Sequence, residues 1–95
     1  MRALSGFDRG QGGIAEQCRL ALRQGAESLA AAGLRMEDVV RVTYLVRDAD
    51  AFPSCFGMLR DAFGDARPGA TLRLVGGFDR PDMQIEIELV ARRLP

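Results

Sequence analysis

Thirteen arginines carry all the basic charge of this 95-residue chain, against thirteen aspartates and glutamates, and histidine, lysine and tryptophan are absent. A Ser-His-Asp triad, a Cys-His dyad, a histidine metal site and a Schiff-base lysine are therefore excluded within the chain. Cys18 and Cys55 stand far apart and belong to no CxxC pair. They read as buried, reduced thiols, with no metal site implied. What remains for chemistry is carboxylate, guanidinium and hydroxyl. The run Gln84-Ile85-Glu86-Ile87-Glu88-Leu89 alternates strictly, which sets both glutamates on one face of a strand and the apolar residues on the other. A carboxylate so placed is a general base or acid if it is desolvated, and a solvated face residue if it is not. The net charge is zero and the arginines are scattered, with Arg92-Arg93 the only adjacent pair. That balance argues against nucleic acid as a partner, because phosphate binding draws on a basic excess.

Positioning such groups falls to a single domain over residues 1–95, long enough for a real but thin core. With 47% apolar and 27% charged residues, the composition excludes disorder as the main state. No apolar run approaches a membrane span, and Met1 to Gly6 is too short for a signal-peptide core, so the expected location is the cytoplasm and no membrane partner is implied. Residues 3–7 suit a short strand that runs into a Gly-rich turn from Asp8 to Gly13. Ile14, Cys18, Ala21, Leu22, Leu29 and Ala32 then repeat at helical spacing. Gly33-Leu34 supplies a left-handed glycine and its apolar follower to end that helix. Gly25 inside it costs about 1 kcal/mol relative to alanine, which points to a buried position approached by another backbone.

Val39 to Val46 is β-branched and aromatic, and predicts a strand with Val40, Val42, Tyr44 and Val46 on one face and Val39 and Leu45 on the other. Asp48 and Asp50 offer N-caps to a second helix, in which Phe52, Phe56, Leu59 and Phe63 form the apolar stripe, Pro53 sits in the first turn and Gly64 follows the end. Ala70 to Phe78 predicts a further strand, with Thr71 and Val75 opposite Leu72 and Leu74. The last strand carries Glu86. This order, β-α-β-α-β-β, is an α+β plan in which two helices cover one face of a small sheet. Leu72, Leu74, Val39 and Leu45 are then left for the second face. Leaving them in water forgoes several kcal/mol at ~25 cal/mol per Å², which implies an oligomer that packs sheet faces together.

Ser5-Gly6, Glu16-Gln17, Leu29-Ala30-Ala31-Ala32-Gly33, Glu37 to Val42, Asp50-Ala51-Phe52, Phe63-Gly64, Arg67-Pro68 and Ile85-Glu86-Ile87-Glu88 fall in the order and spacing of the Rid/YjgF superfamily. These are reactive-intermediate imine deaminases, also called endoribonuclease L-PSP-like proteins, and the chain resembles them over nearly its whole length. The resemblance implies a chorismate-mutase-like fold, a homotrimer whose sheets form an internal barrel, and small-molecule clefts between subunits. It also implies cofactor-independent hydrolysis of imines or enamines to ammonia and a keto acid. Deaminases of the family hold the substrate carboxylate with the arginine of a Pro-Ala-Arg-Ser/Thr motif, a task suited to a bidentate guanidinium. Here the motif reads Pro68-Gly69-Ala70-Thr71, with alanine in the arginine's place.

The family's opening strand, with its cleft tyrosine, has no counterpart here, the loop after Gly6 is short, and Phe56 replaces a common asparagine. By resemblance Ser5, Gly6, Ala70 and Thr71 line the substrate cleft and Glu86 holds the attacking water. Read without the family, Ser5-Gly6 is equally a turn and Thr71 a plain strand residue. Arg73 is three positions from Ala70 and points to the opposite face. The function expected is a cleft acting on a metabolite other than simple 2-imino acids. The alternative is a non-catalytic ligand-binding or structural trimer. Chorismate mutase and ribonuclease chemistry fit less well, for want of converging cations and of histidine or lysine respectively.

Overall fold

The apolar stripe from Ile14 forms helix α1, Ile14–Ala31, in the computed structural model, which describes residues 13–93. Ile14, Cys18, Ala21, Leu22, Gly25 and Leu29 are buried along it. Its end is a Schellman motif: the Leu34 N–H reaches the Leu29 carbonyl at 2.8 Å and the Gly33 N–H the Ala30 carbonyl at 3.0 Å. Gly33 has φ of +77° there, and an added Cβ would lie 2.9 Å from Arg93 Nη2. That nitrogen donates to the carbonyls of Ala32 and Gly33, both at 3.3 Å. The strand expected at residues 3–7, and the turn after it as far as residue 12, lie outside the described residues.

A 3-10 turn at Met36–Asp38 leads into β1, Val39–Val46. The expected faces are corrected at its start. A β-bulge between Val39 and Arg41 inserts one residue, so Val39 turns into the core at 2% exposure while Val40 faces outward. The second helix also departs from a single period. Phe52–Cys55 is a 3-10 turn and only Phe56–Phe63, α2, is α-helical. The tighter winding shifts the phase. Cys55 enters the core with Phe52, Leu59 and Phe63, whereas Phe56 is 53% exposed and meets Phe52 edge-on at 5.3 Å. Asp48 and Asp50 cap no helix. Asp48 Oδ1 accepts from the Asp50 N–H at 2.9 Å in a local turn.

β2 covers Gly69–Leu74, shorter than expected, and β3 covers Ile85–Ala91. Among the described residues the sheet has three strands in the order β2-β1-β3, with β1 parallel to β2 and antiparallel to β3. The crossover from β1 to β2 runs through α2, while α1 lies over β3 and the 3-10 turn. Val42, Tyr44 and Val46 of β1 share the helix side with Leu89, Ile87 and Ile85 of β3, and these six lie in the core. Register also puts Ala70, Leu72 and Leu74 on that side, opposite Val42, Tyr44 and Val46. Leu72 and Leu74 therefore lie on the helix side, which corrects the expectation that they share the second face with Leu45. They lie on the edge strand, 48% and 63% exposed. The far face carries Thr43, Leu45, Thr71, Arg73, Glu86 and Glu88. No helix of the described residues is long and apolar enough to cross a membrane.

Candidate functional site

Strict alternation in β3 puts Glu86 and Glu88 on the far face, half-buried. Two cross-strand rows include them, Arg73–Leu45–Glu86 and Thr71–Thr43–Glu88. Arg73 and Glu86 thus face the same way with β1 between them, their Cα atoms roughly 10 Å apart at ordinary strand spacing. Thr71 Oγ1 accepts from Arg41 Nη1 at 3.5 Å. Glu86 and Glu88 line a cavity of about 330 Å³ whose apolar walls include Leu45, Val75, Phe78 and Met83.

The segment between β2 and β3 that roofs this cavity is tied down from both sides. Gln17, fully buried on α1, donates through Nε2 to the Asp82 carbonyl at 2.9 Å and accepts at Oε1 from the Gln84 N–H at 2.8 Å. Arg47 Nη1 donates to the carbonyls of Pro81 at 2.7 Å and Met83 at 3.3 Å. Arg47 also borders a broad hollow with Asp48, Gly76 and Pro81, where its bonds to the loop give it a structural part. The role of Gln17 was not legible in the sequence, where it is one polar residue on an apolar stripe and its partners lie 65 and 67 residues away.

Ala70 sits on the other side of the sheet. It lines a separate cavity of about 370 Å³ with Val42, Tyr44, Leu59 and Phe63, and with Arg60 and Arg67. Thr71 and Glu86 therefore share a face, and Ala70 does not share it with them. Ser5 and Gly6 lie outside the described residues. Tyr44, 5.1 Å ring to ring from Phe52, has its phenol pushed up to about 12 by burial, with smaller contributions from Cys18 and Cys55. It is the chain's only tyrosine.

Cys18 and Cys55 are buried free thiols, as expected. The two side chains interact with each other, and the Cys55 thiol donates to the Ile14 carbonyl at 3.9 Å. Burial raises both thiols, that of Cys18 strongly, so neither is poised as a nucleophile. Among the described residues, no group of three or more His, Cys, Asp or Glu is placed to hold a metal.

A small α+β unit with helices on one side of the sheet, and with titratable groups on the other, defines a class that sequence comparison narrows. The sequence profile described as Endoribonuclease L-PSP matches residues 6–93. The chain belongs to this family, the Rid/YjgF proteins. A Mycobacterium tuberculosis member of the YjgF/YER057c/UK114 family is 32% identical, with a TM-score of 0.83 over 96% of this chain and 74% of that one. A Thermotoga maritima protein is also 32% identical, with a TM-score of 0.83 over 90% of this chain and 66% of that one. Escherichia coli TdcF, solved with bound serine, is 24% identical with a TM-score of 0.77 over 88% of this chain and 68% of that one, and it shares the fold. The chain thus spans about two thirds to three quarters of these relatives' lengths. No curated protein matches it.

Proposed function

We propose that residues 1–95 form one Rid-type domain that assembles as a homotrimer in the cytoplasm and hydrolyses an imine or enamine of a small metabolite, without a cofactor, in clefts between subunits. The observation that carries this reading is that Ala70 and Glu86 lie on opposite faces of one thin sheet. One substrate cannot touch both in a single chain. A cleft that uses both needs the Ala70 side of one subunit against the Glu86 side of another, as a cyclic assembly provides. Ser5, Gly6 and Thr71 belong to the same proposed site as binding residues. The bound serine of Escherichia coli TdcF supports a small-molecule ligand on this fold.

In the proposed reaction Glu86 takes a proton from water as the water oxygen bonds to the imine carbon. The C=N π electrons move to nitrogen, which gains a proton. Transfer of the remaining hydroxyl proton to nitrogen then lets the C–N bond break, releasing ammonia and leaving a carbonyl. An enamine first takes up a proton at carbon and gives one up from nitrogen, which makes it the imine. Ala70 supplies no cation where deaminases of the family hold a carboxylate, so simple 2-imino acids are expected to be poor substrates. That same alanine favours the second reading, a ligand-binding or structural trimer without chemistry. Light scattering and ammonia release decide between the two, using imines generated in place by an amino-acid oxidase acting on alanine or on larger apolar amino acids. A trimer that accelerates hydrolysis of the larger imines, and loses this in Glu86→Gln, supports catalysis. A trimer with no acceleration supports the second reading, and a monomer removes both.

A further inference from the structure

The cavity beside Ala70 contains an unusual pairing of groups. Its floor is apolar, from Val42, Leu59 and Phe63, and two arginines, Arg60 and Arg67, line it as well. Neither guanidinium makes an ion pair or a hydrogen bond among the described residues. Arg60 lies in the last turn of α2, and Arg67 comes just before β2 with φ of +46°, the only non-glycine residue with positive φ among those described. A left-handed arginine costs about 1–2 kcal/mol, and strain of this kind persists where the surroundings enforce it, often at ligand sites. The chain reverses between these arginines at Gly64, φ +55°, and this reversal brings both to one opening.

We propose that Arg60 and Arg67 are the anion-holding residues of this cavity, and that its ligand is an organic carboxylate with an apolar body of several carbons. The inference rests on the proposal that Ala70 lines the cleft, and it names the substrate class. An arginine at position 70 would fill the apolar space and hold a carboxylate deep within it. With Ala70 the space is open to hydrocarbon, and the two exposed guanidiniums hold the carboxylate at the mouth, where it keeps part of its hydration. A volume of about 370 Å³ is within the range of small-ligand sites. The Tyr44 hydroxyl, which makes no hydrogen bond to any described residue, is left as a donor for a polar atom of the bound body. Simple 2-imino acids are too short to fill the floor and reach the rim together.

The test uses the full chain and Tyr44 fluorescence, since there is no tryptophan to mask it. Hexanoate and hexan-1-ol serve as probes, because they share a tail and do not absorb where tyrosine does. Hexanoate is expected to bind at least about ten-fold more tightly than the alcohol, and Arg60→Gln and Arg67→Gln are each expected to weaken it about ten-fold while leaving the alcohol unchanged. Ala70→Phe should block both. Arg67→Gly should weaken hexanoate yet raise the melting temperature, because glycine relieves the left-handed conformation; a structural arginine would not give that combination. Equal affinity for acid and alcohol, no saturable hexanoate binding, or folded arginine variants that bind as wild type would each overturn the proposal. Arginine-dependent hexanoate binding without imine hydrolysis would leave this site standing and remove the catalytic reading. Hydrolysis unaffected by Arg60→Gln and Arg67→Gln would do the reverse.

Discussion

Tyr44 joins the core to the Ala70 cavity, and its titration measures how dry that junction is. Its folded value of about 12, against 10.0 for an ordinary tyrosine, means that the unfolded chain releases this proton first. The Tyr44 contribution to stability is therefore complete below pH 10 and declines as pH rises from 10 towards 12. Absorbance at the phenolate band should give a midpoint near 12 in the native protein and near 10 in denaturant. A native midpoint near 10 would mean that water reaches the hydroxyl freely. The raised thiols of Cys18 and Cys55 should likewise react with a disulfide reagent only as fast as the protein unfolds. Their burial was legible in the sequence, because free cysteine outside any CxxC pair is among the most often buried residue types. The convergence of Arg60 and Arg67 was not, since it depends on a turn at Gly64 and a positive φ at Arg67 that no local pattern announces.

The elements were legible where one period runs without interruption and misread where it changes. Helix α1 follows its stripe from Ile14 to the Schellman end, and β3 follows its alternation. The bulge at β1 reverses the faces of Val39 and Val40, and the 3-10 entry to α2 puts Cys55 in the core where Phe56 was expected. The second of these corrections gives opposite expectations for two phenylalanines of one helix. Phe63→Ala should cost roughly 3 kcal/mol or more through the cavity it leaves, whereas Phe56→Ala should cost about 1 kcal/mol or less. Denaturant melts distinguish them, and equal losses would restore the uniform helical stripe. Gln17 acts between elements, holding the loop before β3 to α1. Gln17→Ala leaves the Asp82 carbonyl and the Gln84 N–H unpaired in partly buried surroundings, at a cost of roughly 2–4 kcal/mol. A loss within about 0.5 kcal/mol of zero would mean that water replaces both bonds without penalty.

At the scale of the whole molecule, the helices bury one side of β1 and β3 but leave the β2 edge and the far face uncovered. The exposed leucines of β2 were readable in the sequence, but their side of the sheet was not, because that depends on the parallel register with β1. Leu72 and Leu74 border the helix side at the open edge, so a Leu72→Glu/Leu74→Glu variant should dissociate the proposed trimer in light scattering while retaining its helical circular dichroism. The division of Ala70 from Glu86 gives the sharper test. If each cleft takes the Ala70 side from one chain and Glu86 from its neighbour, then Ala70→Phe and Glu86→Gln are each inactive alone for complementary reasons. In trimers assembled from an equal mixture, half of the chains present an intact Ala70 side and half an intact Glu86. A site between two chains then has both intact in about one case in four, so about a quarter of the wild-type rate should return on whichever imine the wild type hydrolyses. A site built within one chain regains nothing on mixing, because every chain carries one of the two lesions. Mixed trimers no more active than either parent would therefore refute the shared cleft even if the trimer itself were beyond dispute.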